Sequence, residues 1–290
     1  MKVCIIGSGG FVGSALATIC KERGDQTQLV SSRLNGGIDP ITGLLPADFQ
    51  INPGTDAVYY LAQSPHYRDM PAYAAHLLSV NCVSAVQAAA TAVRAGTKRF
   101  IYASTGNVYA PAFGPLSEDA PVSRSAWYPL SKLMAEDSLR LYSGQMNITA
   151  VRIFAVYGPR QMGMLLPMLI SRVRTGAAIF AERNATDESD IGGLRISPIY
   201  IDDAIAALLK LADQCGPSVV NLGGNQSLSI SEIAVIIGKE LGVPAKVSIS
   251  ERFREFNLIC DTRLLQHLTD IQFTSFENGL RQTISSIATG

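Results

Sequence analysis

The chain opens with a short apolar run that leads directly into a glycine-rich turn. Residues 2–6 have the composition of a buried strand, and helical periodicity begins at Phe11. Glycines in the turn allow a sharp bend, close approach of backbone N–H groups to a phosphate, and packing of helix on strand without an intervening Cβ. The pattern predicts a dinucleotide site whose residues are Gly7, Gly9, Gly10, Phe11, Val12 and Gly13.

The first 155 residues alternate β-rich runs with longer helical segments, a rhythm typical of a parallel sheet with crossover helices. The predicted strands are Lys2–Ile6, Thr27–Ser31, Ala57–Ala62, Arg99–Ser104 and Ile148–Phe154, and the helices are Phe11–Arg23, Pro71–Ala95 and Pro129–Ser143. Residues 34–55 are rich in glycine and proline and are expected to be mostly loop. The predicted fold class is therefore α/β, with a Rossmann-type doubly wound parallel sheet.

After residue 158 the alternation becomes looser, which predicts a smaller C-terminal α/β lobe for the substrate. We expect a dinucleotide-binding domain at 1–158, with returns from about 194–225, interleaved with a lobe at 159–290. The later helices are predicted at Leu165–Thr175, Asp202–Asp213, Ser229–Leu241 and Phe276–Ile287, and the strands at Ala178–Ala181, Ile196–Ile201, Ser218–Leu222 and Lys246–Ile249.

Composition excludes several classes of protein. Lys plus Arg and Asp plus Glu both number 24, so no basic field attracts nucleic acid. The glycines that interrupt the N-terminal apolar run disfavour a signal peptide, and no apolar run of 18 residues predicts a membrane span. The five cysteines and three histidines lack metal-ligand spacing, so no metal site is expected. A cytoplasmic location with reduced thiols is the expectation.

The end of the second strand bears on the choice of cofactor. An acidic residue about 20 positions beyond the last glycine would hold the ribose 2′-OH of NAD. The chain instead has Ser31, Ser32 and Arg33 there, two hydroxyls and a guanidinium that suit a 2′-phosphate. We therefore expect NADP, with NAD as the alternative. The alternative interpretation of Arg33 is that it is a solvated loop residue.

A tyrosine and a lysine four residues apart are predicted to share one face of a helix. Tyr128 and Lys132 occupy these positions, downstream of a strand that ends in Ser104 and Thr105. A phenol is a poor base at neutral pH, and a neighbouring ammonium would lower its pKa. The spacing therefore predicts a proton-transfer pair.

With these motifs in place, the chain resembles the extended short-chain dehydrogenase/reductase family, of the NAD(P)-dependent epimerase/dehydratase type that acts mostly on nucleotide sugars. The matching motifs run nearly end to end: Gly7, Gly10 and Gly13; Asp56 to Ala62; Asn81; Ser104 to Tyr109; Tyr128 with Lys132; Arg152 to Pro159; Tyr200 to Ala204; and Asn221 to Gly223.

The resemblance implies roles for individual residues. Tyr128 would be the acid/base, Thr105 would orient the substrate oxygen, and Lys132 would hold the nicotinamide ribose. Hydride would move between the substrate and the nicotinamide. Further cofactor contacts would come from Leu61, Ala62, Gln63, Asn81, Ala103, Phe154 and Val156, and further substrate contacts from Asn107 and Arg195.

Departures from the family pattern narrow the reaction. Family dehydratases carry Asp-Glu where this chain has Gly106-Asn107, which disfavours dehydration, and Ala155 replaces an asparagine that helps to grip the diphosphate. The leading hypothesis is 4-keto reduction or C4 epimerisation of a nucleotide-linked sugar. Alternatives are reduction of a non-nucleotide ketone, and a non-catalytic NADP-sensing protein.

Two further expectations concern surfaces. The apolar faces of residues 72–93 and 128–142 predict a homodimer, since such helices form the dimer interface in the family. The acidic segment 182–190 is expected to be a solvated turn, with a substrate lid as the alternative.

Overall fold

The structure is a computed structural model that describes residues 1–34 and 36–288. The strands in chain order are β1 (Lys2–Ile6), β2 (Gln26–Val30), β3 (Ala57–Tyr60), β4 (Arg99–Thr105), β5 (Asn147–Ile153), β6 (Ala155–Tyr157), β7 (Ile179–Asn184), β8 (Arg195–Ile196), β9 (Pro198–Tyr200), β10 (Val219–Leu222), β11 (Leu228–Ser229) and β12 (Val247–Arg254). The α-helices are α1 (Phe11–Glu22), α2 (Ala74–Leu78), α3 (Ser84–Arg94), α4 (Trp127–Arg140), α5 (Leu165–Thr175), α6 (Ile201–Asp213), α7 (Ile230–Leu241), α8 (Arg263–Thr269) and α9 (Phe276–Ala288).

Six of the strands form one parallel sheet in the order β10-β5-β4-β3-β1-β2. The chain moves outward from β1 to β2 and then returns to the other side of β1 as β3, so strand order reverses there. Ligands of open α/β sheets bind at the carboxyl ends of strands beside such a reversal. The predicted Rossmann-type α/β fold is confirmed, and β10 supplies the expected return from the second half.

The central strand β1 shows why this sequence forms a two-sided sheet. Successive side chains on a strand point to opposite faces. Val3 and Ile5 join a core with α1 and α6, whereas Cys4 and Ile6 join a second core with α3 and α4. All four are buried, which explains the unbroken apolar run that a one-sided strand would not have.

The segment predicted as loop is confirmed as such: over residues 34 and 36–55 the structure contains neither helix nor strand. Among the described residues, the sheet therefore ends at β2. The loop lies along β2: the Gln28 side chain donates to the Gln50 carbonyl at 2.8 Å and accepts from the Asn52 N–H at 2.9 Å.

The helices of the second half also agree with the sequence pattern, and α5 has the predicted limits. Helix α7 begins with a capping box, in which Ser229 Oγ accepts from the Glu232 N–H and the Glu232 carboxylate accepts from the Ser229 N–H. The predicted strand 196–201 is instead split into β8 and β9, and Ile201 is already helical. Strand β6 and helix α8 were not predicted, because three and seven residues are too short for a periodic pattern.

One helical segment, Ala74–Arg94, is long and apolar enough to cross a membrane by length and composition alone. It comprises α2, α3 and the π turn Ser79–Val83 between them. Within its most apolar window 61% is buried inside the protein, as for a core helix.

Candidate active site

The glycine turn after β1 has a geometry that other residues would break. Gly7 has φ +97°, and a Cβ there would lie 2.6 Å from the Ala62 backbone nitrogen. A Cβ on Gly13 would lie 2.2 Å from the Gly7 carbonyl oxygen. Gly10 caps α1 without any side-chain hydrogen bond, so the positive end of the helix is open to an anion. The turn therefore has the close backbone approach and open helix end that a dinucleotide pyrophosphate requires; its binding there stays a prediction.

The residues predicted for the ribose end lie beside this turn. A Cβ on Gly9 would be 3.3 Å from the Ser31 side chain, which places Ser31 against the turn. Ser31 is buried and its hydroxyl accepts from the Arg33 N–H at 3.3 Å, while Ser32 and Arg33 are exposed. A cavity next to Ser32 is lined by residues from the 34–46 loop, and Asp48 lines a second cavity beside it. This loop therefore borders the expected adenine position.

The predicted nicotinamide residues lie after the ends of neighbouring strands. Leu61, Ala62 and Gln63 come after β3, and Ala103 and Thr105 close β4. The Leu61 N–H donates to Ile6 of β1, which fixes this segment beside the glycine turn. The Gln63 side-chain oxygen is buried and has no hydrogen-bond partner within the described residues, so a polar group is available there.

Phe154 is brought to the same edge, with Val156 in the adjoining strand β6. Gly106 packs on the Phe154 ring so closely that a Cβ would lie 2.9 Å from it. Phe154 therefore lies beside Thr105 and Gly106, as the predicted site requires. Asn107 is exposed, and its amide donates to the Thr105 hydroxyl at 3.1 Å rather than pointing away from it.

Asn81 lies in the π turn, a feature that the sequence pattern did not predict. It is fully buried, and its amide donates to Ser131 Oγ at 2.9 Å. The Ser131 hydroxyl in turn donates to the backbone carbonyl of Tyr128. Asn81 thus contacts the helix turn that carries the predicted acid/base, and its side-chain oxygen has no partner in the described chain. π turns are frequent at functional sites.

The predicted pair of Tyr128 and Lys132 lies on the first turns of α4. Tyr128 is partly buried; this burial raises its pKa because the phenolate loses solvation, and a hydrogen bond with the Thr105 hydroxyl opposes the shift. The pKa of Tyr128 is therefore raised in this structure, opposite in direction to the lowering expected from a neighbouring ammonium.

Lys132 instead points into the protein. It is buried, its Nζ donates to the Ala103 carbonyl at 2.8 Å, and it lies 5.0 Å from the centre of the Tyr102 ring. Burial lowers the pKa of Lys132 to about 7, and the Glu136 carboxylate opposes this shift. Lys132 is thus placed under the strand end that carries Thr105.

Glu136 belongs to a buried network that sequence reasoning missed. Its carboxylate accepts two hydrogen bonds from Arg152, at 2.8 and 3.2 Å, and a third from Ser104 Oγ. The pair joins α4 to β5 directly beneath the end of β4. The signal was present: Glu136 lies one helical turn after Lys132, on the same face.

The network continues toward β10 through Tyr109. The Arg152 guanidinium lies 4.8 Å from the Tyr109 ring centre, and the Tyr109 hydroxyl donates to Asn221 at 2.6 Å. The backbone N–H of Asn221 donates to Glu118 at 2.8 Å. Three of the sequence motifs, Ser104 to Tyr109, Arg152 to Pro159 and Asn221 to Gly223, therefore contribute side chains that hold the strand ends together.

Arg195, predicted to contact substrate phosphates, is engaged elsewhere. Its Nη1 lies 3.3 Å from the Glu232 carboxylate, and its side chain is only partly exposed. No contact in the described structure brings it to Tyr128 or Thr105. Its substrate role stays a prediction.

The acidic segment 182–190 is anchored rather than freely solvated. Buried Arg254 forms an ion pair with Asp190 and donates to the Glu182 carbonyl at 2.9 Å. Strand β7 also extends to Asn184, into the predicted turn. Residues 185–189 remain on the surface between these anchors.

Tyr67 is a site residue that the sequence did not indicate. Its ring lies against the Tyr128 ring, with centroids 5.3 Å apart. It lies in the segment that follows β3. Within the described residues, no cluster of three or more His, Cys, Asp or Glu side chains could hold a metal ion.

Comparison with known proteins gives the family. The family model for the NAD dependent epimerase/dehydratase family matches residues 3–223. The chain belongs to this family and is an enzyme of the extended short-chain dehydrogenase/reductase type. The predicted resemblance is confirmed.

Individual relatives are distant but span the chain. A UDP-N-acetyl-alpha-D-glucosaminuronate decarboxylase of Bacillus cytotoxicus is 25% identical, over 98% of this chain and 97% of that protein. An uncharacterized UDP-glucose epimerase of Bacillus subtilis is 26% identical, over 87% and 86%. The family is thus one of nucleotide-sugar epimerases, dehydratases and decarboxylases that use NAD.

Solved structures support the fold. A NAD-dependent NDP-hexosamine 5,6-dehydratase of tunicamycin biosynthesis has a TM-score of 0.82 at 24% identity, covering 100% of this chain and 98% of that one. The UDP-glucuronic acid 4-epimerase of Bacillus cereus, in complex with UDP-glucuronic acid and NAD, has a TM-score of 0.79 at 23% identity, covering 100% and 99%.

The low pKa of Lys132 predicts a pH-dependent stability. An unfolded lysine has a pKa near 10.5, so between about pH 7 and 10.5 the unfolded chain binds more protons, and stability rises with pH. From pH 7 to 9, unfolding in urea of protein freed of cofactor should show wild type gaining about 2 kcal/mol relative to Lys132→Met. Exposed Lys98→Met should behave as wild type does. Equal pH dependence in all three would contradict this assignment.

Proposed function

We propose that this enzyme transfers hydride between a nicotinamide cofactor and a nucleotide-linked sugar, in 4-keto reduction or C4 epimerisation, with Tyr128 as proton donor and acceptor. The observation that carries the proposal is the placement of the Tyr128 phenol beside the Thr105 hydroxyl, at the strand edge next to the glycine cradle. The curated relatives and the cofactor-binding fold support the substrate class and the chemistry.

The chain's own groups divide the work of proton transfer. The Tyr128 phenol carries its proton at neutral pH, as an ordinary tyrosine does, and burial raises its pKa further, so it is ready to donate to a developing alkoxide during ketone reduction. The Thr105 hydroxyl, next to it, holds the substrate oxygen in line. Lys132 would hold the nicotinamide ribose from below. The nearby Glu136 carboxylate raises the Lys132 pKa and so favours its ammonium form. A bound nicotinamide would supply the hydride chemistry.

The two residues directly after Thr105 favour reduction or epimerisation over elimination of water. Elimination needs an acid and a base beside the sugar carbon. Gly106 is packed against Phe154 with no room for a side chain, and Asn107 carries an amide that donates to Thr105. Neither position supplies a carboxylate.

A second candidate is reduction of a ketone that carries no nucleotide. Two observations favour it: Arg195 is already paired with Glu232, and Ala155 offers no side-chain donor. A substrate without a diphosphate would need neither.

NADP is the cofactor that we propose, because Ser31 lies beside the glycine turn and neither it nor the two residues that follow, Ser32 and Arg33, carries an acidic side chain. The exposed guanidinium of Arg33 can rotate onto a 2′-phosphate, and the two hydroxyls can donate to it. NAD, which the relatives use, remains the alternative.

We also propose that the enzyme is a homodimer. The π turn and α4 pack against each other, and large apolar side chains remain exposed on them: 51% of Val83 and 42% of Met134. Leu141, just beyond α4, is 84% exposed. Burial of such a patch against a second copy would remove apolar surface from water.

Replacing the phenol tests the reaction. Tyr128→Phe should keep cofactor affinity and fold but lower turnover of a nucleotide sugar or its 4-keto form by about 10²-fold or more, as loss of a general acid does. Tyr142→Phe, just beyond the other end of α4, is the matched control. A panel of UDP-sugars, 4-keto sugars and simple ketones, monitored by cofactor absorbance and product NMR, separates the two candidates. Unaltered turnover by Tyr128→Phe would rule out both.

Reversing the charge at the ribose end tests the cofactor. Charged hydrogen bonds contribute roughly 1.5–3 kcal/mol, so Arg33→Asp should reduce the ratio of NADP to NAD affinity by about tenfold or more. Arg33→Lys should have a smaller effect. Fluorescence titration with both reduced cofactors gives the ratio, and no change would refute the role of Arg33.

Charging the exposed apolar patch tests the dimer. Val83→Glu combined with Met134→Glu should convert the protein from dimer to monomer, because an interface cannot bury unpaired carboxylates. Light scattering after size exclusion measures the mass, and Val235→Glu, at an exposed site on α7, should leave the dimer intact. A wild-type monomer would contradict the proposal.

A further inference from the structure

A second phenol covers the candidate acid/base. Tyr67, in the segment after β3, packs on Tyr128 with ring centroids 5.3 Å apart and ring planes inclined by 50°. The Tyr67 hydroxyl donates a weak hydrogen bond to Sδ of Met164, the residue before α5, at 3.9 Å. A continuous line of contacts therefore runs from the segment after β3, across Tyr128, to the start of α5.

The backbone that carries Tyr67 is held in place by its neighbours. The His66 ring stacks on the Tyr73 ring with centroids 3.9 Å apart, and the His66 backbone N–H donates to Ser64 Oγ at 3.2 Å. Ser64 is fully buried, and its Oγ also lies 2.9 Å from His76 Nδ1. Tyr67 therefore presents its ring to Tyr128 from an anchored segment.

Three elements supply the polar groups around the Tyr128 phenol. They are Thr105 and Tyr102 on β4, Lys132 on α4, and Tyr67 after β3, with Arg68 lying over the Tyr67 ring. The Lys132 ammonium is directed to the Ala103 carbonyl. Burial, and after it the Tyr67 phenol, raises the pKa of Tyr128, so exclusion of water is the main cause of the shift.

Water around the Tyr128 phenol would oppose its use as a proton donor in two ways. Water stabilises a phenolate by hydrogen bonding, and it competes with the substrate oxygen for the phenol proton. The Tyr67 ring covers one side of Tyr128, and the Thr105 hydroxyl binds the phenol itself. A substrate oxygen that approaches Thr105 therefore meets a phenol that is shielded on the Tyr67 side.

We propose that Tyr67 is a positioning residue for the proton donor: its ring, tied to Met164, covers the Tyr128 phenol and reserves the phenol proton for the substrate. The Tyr67 hydroxyl is engaged with Met164, so in this role Tyr67 acts through Tyr128 and exchanges no proton of its own. This inference rests on the proposed function, because it concerns the same site, and it adds a residue that lies outside the glycine and Tyr-Lys motifs.

The ionisation of Tyr128 tests the shield without any substrate. Carbon-13 NMR of the full-length protein, labelled at the tyrosine Cζ atoms, follows each phenol through its titration, and Tyr128→Phe identifies the Tyr128 signal. Tyr67→Ala should let Tyr128 ionise at a lower pH than in wild type, because water then reaches the phenolate. Tyr67→Phe, which keeps the ring but loses the hydrogen bond to Met164, should lie between the two.

The control for loss of an aromatic ring is Phe180→Ala, at an exposed site on β7. It should leave the Tyr128 titration as in wild type. If Tyr67→Ala also leaves that titration unchanged, the ring does not shield the phenol and the inference is overturned.

Turnover separates shielding from a merely structural role of Tyr67. With a substrate from the sugar panel, Tyr67→Ala should lower kcat by about tenfold, and the alkaline limb of its pH profile should move to lower pH, as the Tyr128 titration does. A loss of kcat that is equal at every pH, with the limb in its wild-type place, overturns the inference. A wild type that turns over no member of the panel overturns the proposed function, and the NMR comparison then decides the inference by itself.

Discussion

The close approach of the glycine turn to the end of β3 is the constraint on which the site depends. Gly7 lies so near the Ala62 backbone, and Gly13 so near the Gly7 carbonyl, that no side chain fits at either position. These two close contacts place the N-terminal end of α1 at the carboxyl edge of the sheet. Ser31, Thr105 and Phe154 lie along the same edge. The positions of these site residues are therefore defined relative to one backbone contact.

The charge beneath this edge is balanced within the protein. Lys132 is removed from water, at a cost that shows in its low pKa, and the Ala103 carbonyl and the Glu136 carboxylate offset part of it. Glu136 is in turn held by Arg152. Breaking a buried pair leaves an uncompensated charge, so these residues act as a unit.

More of the fold than of the site could be predicted from the sequence. Apolar runs and glycine spacing predicted the sheet, since a two-sided parallel strand and a phosphate turn both leave a local pattern. Tyr67 belongs to no such local pattern, because it is placed in the site by its contact with Tyr128, which is far away in the chain. The Tyr128 and Lys132 spacing was right about a shared helix face, but spacing does not reveal that Ala103 draws the ammonium inward.

The widened turn at Ser79–Val83 explains how two phenols can sit in the middle of the sheet. A regular helix uses its carbonyls internally, whereas a π turn leaves some of them facing sideways. The hydroxyls of Tyr60 and Tyr102, on β3 and β4, donate to the carbonyls of Val80 and Asn81. One irregular helix turn therefore anchors two strands of the sheet, and it includes Asn81, a residue predicted to contact the cofactor.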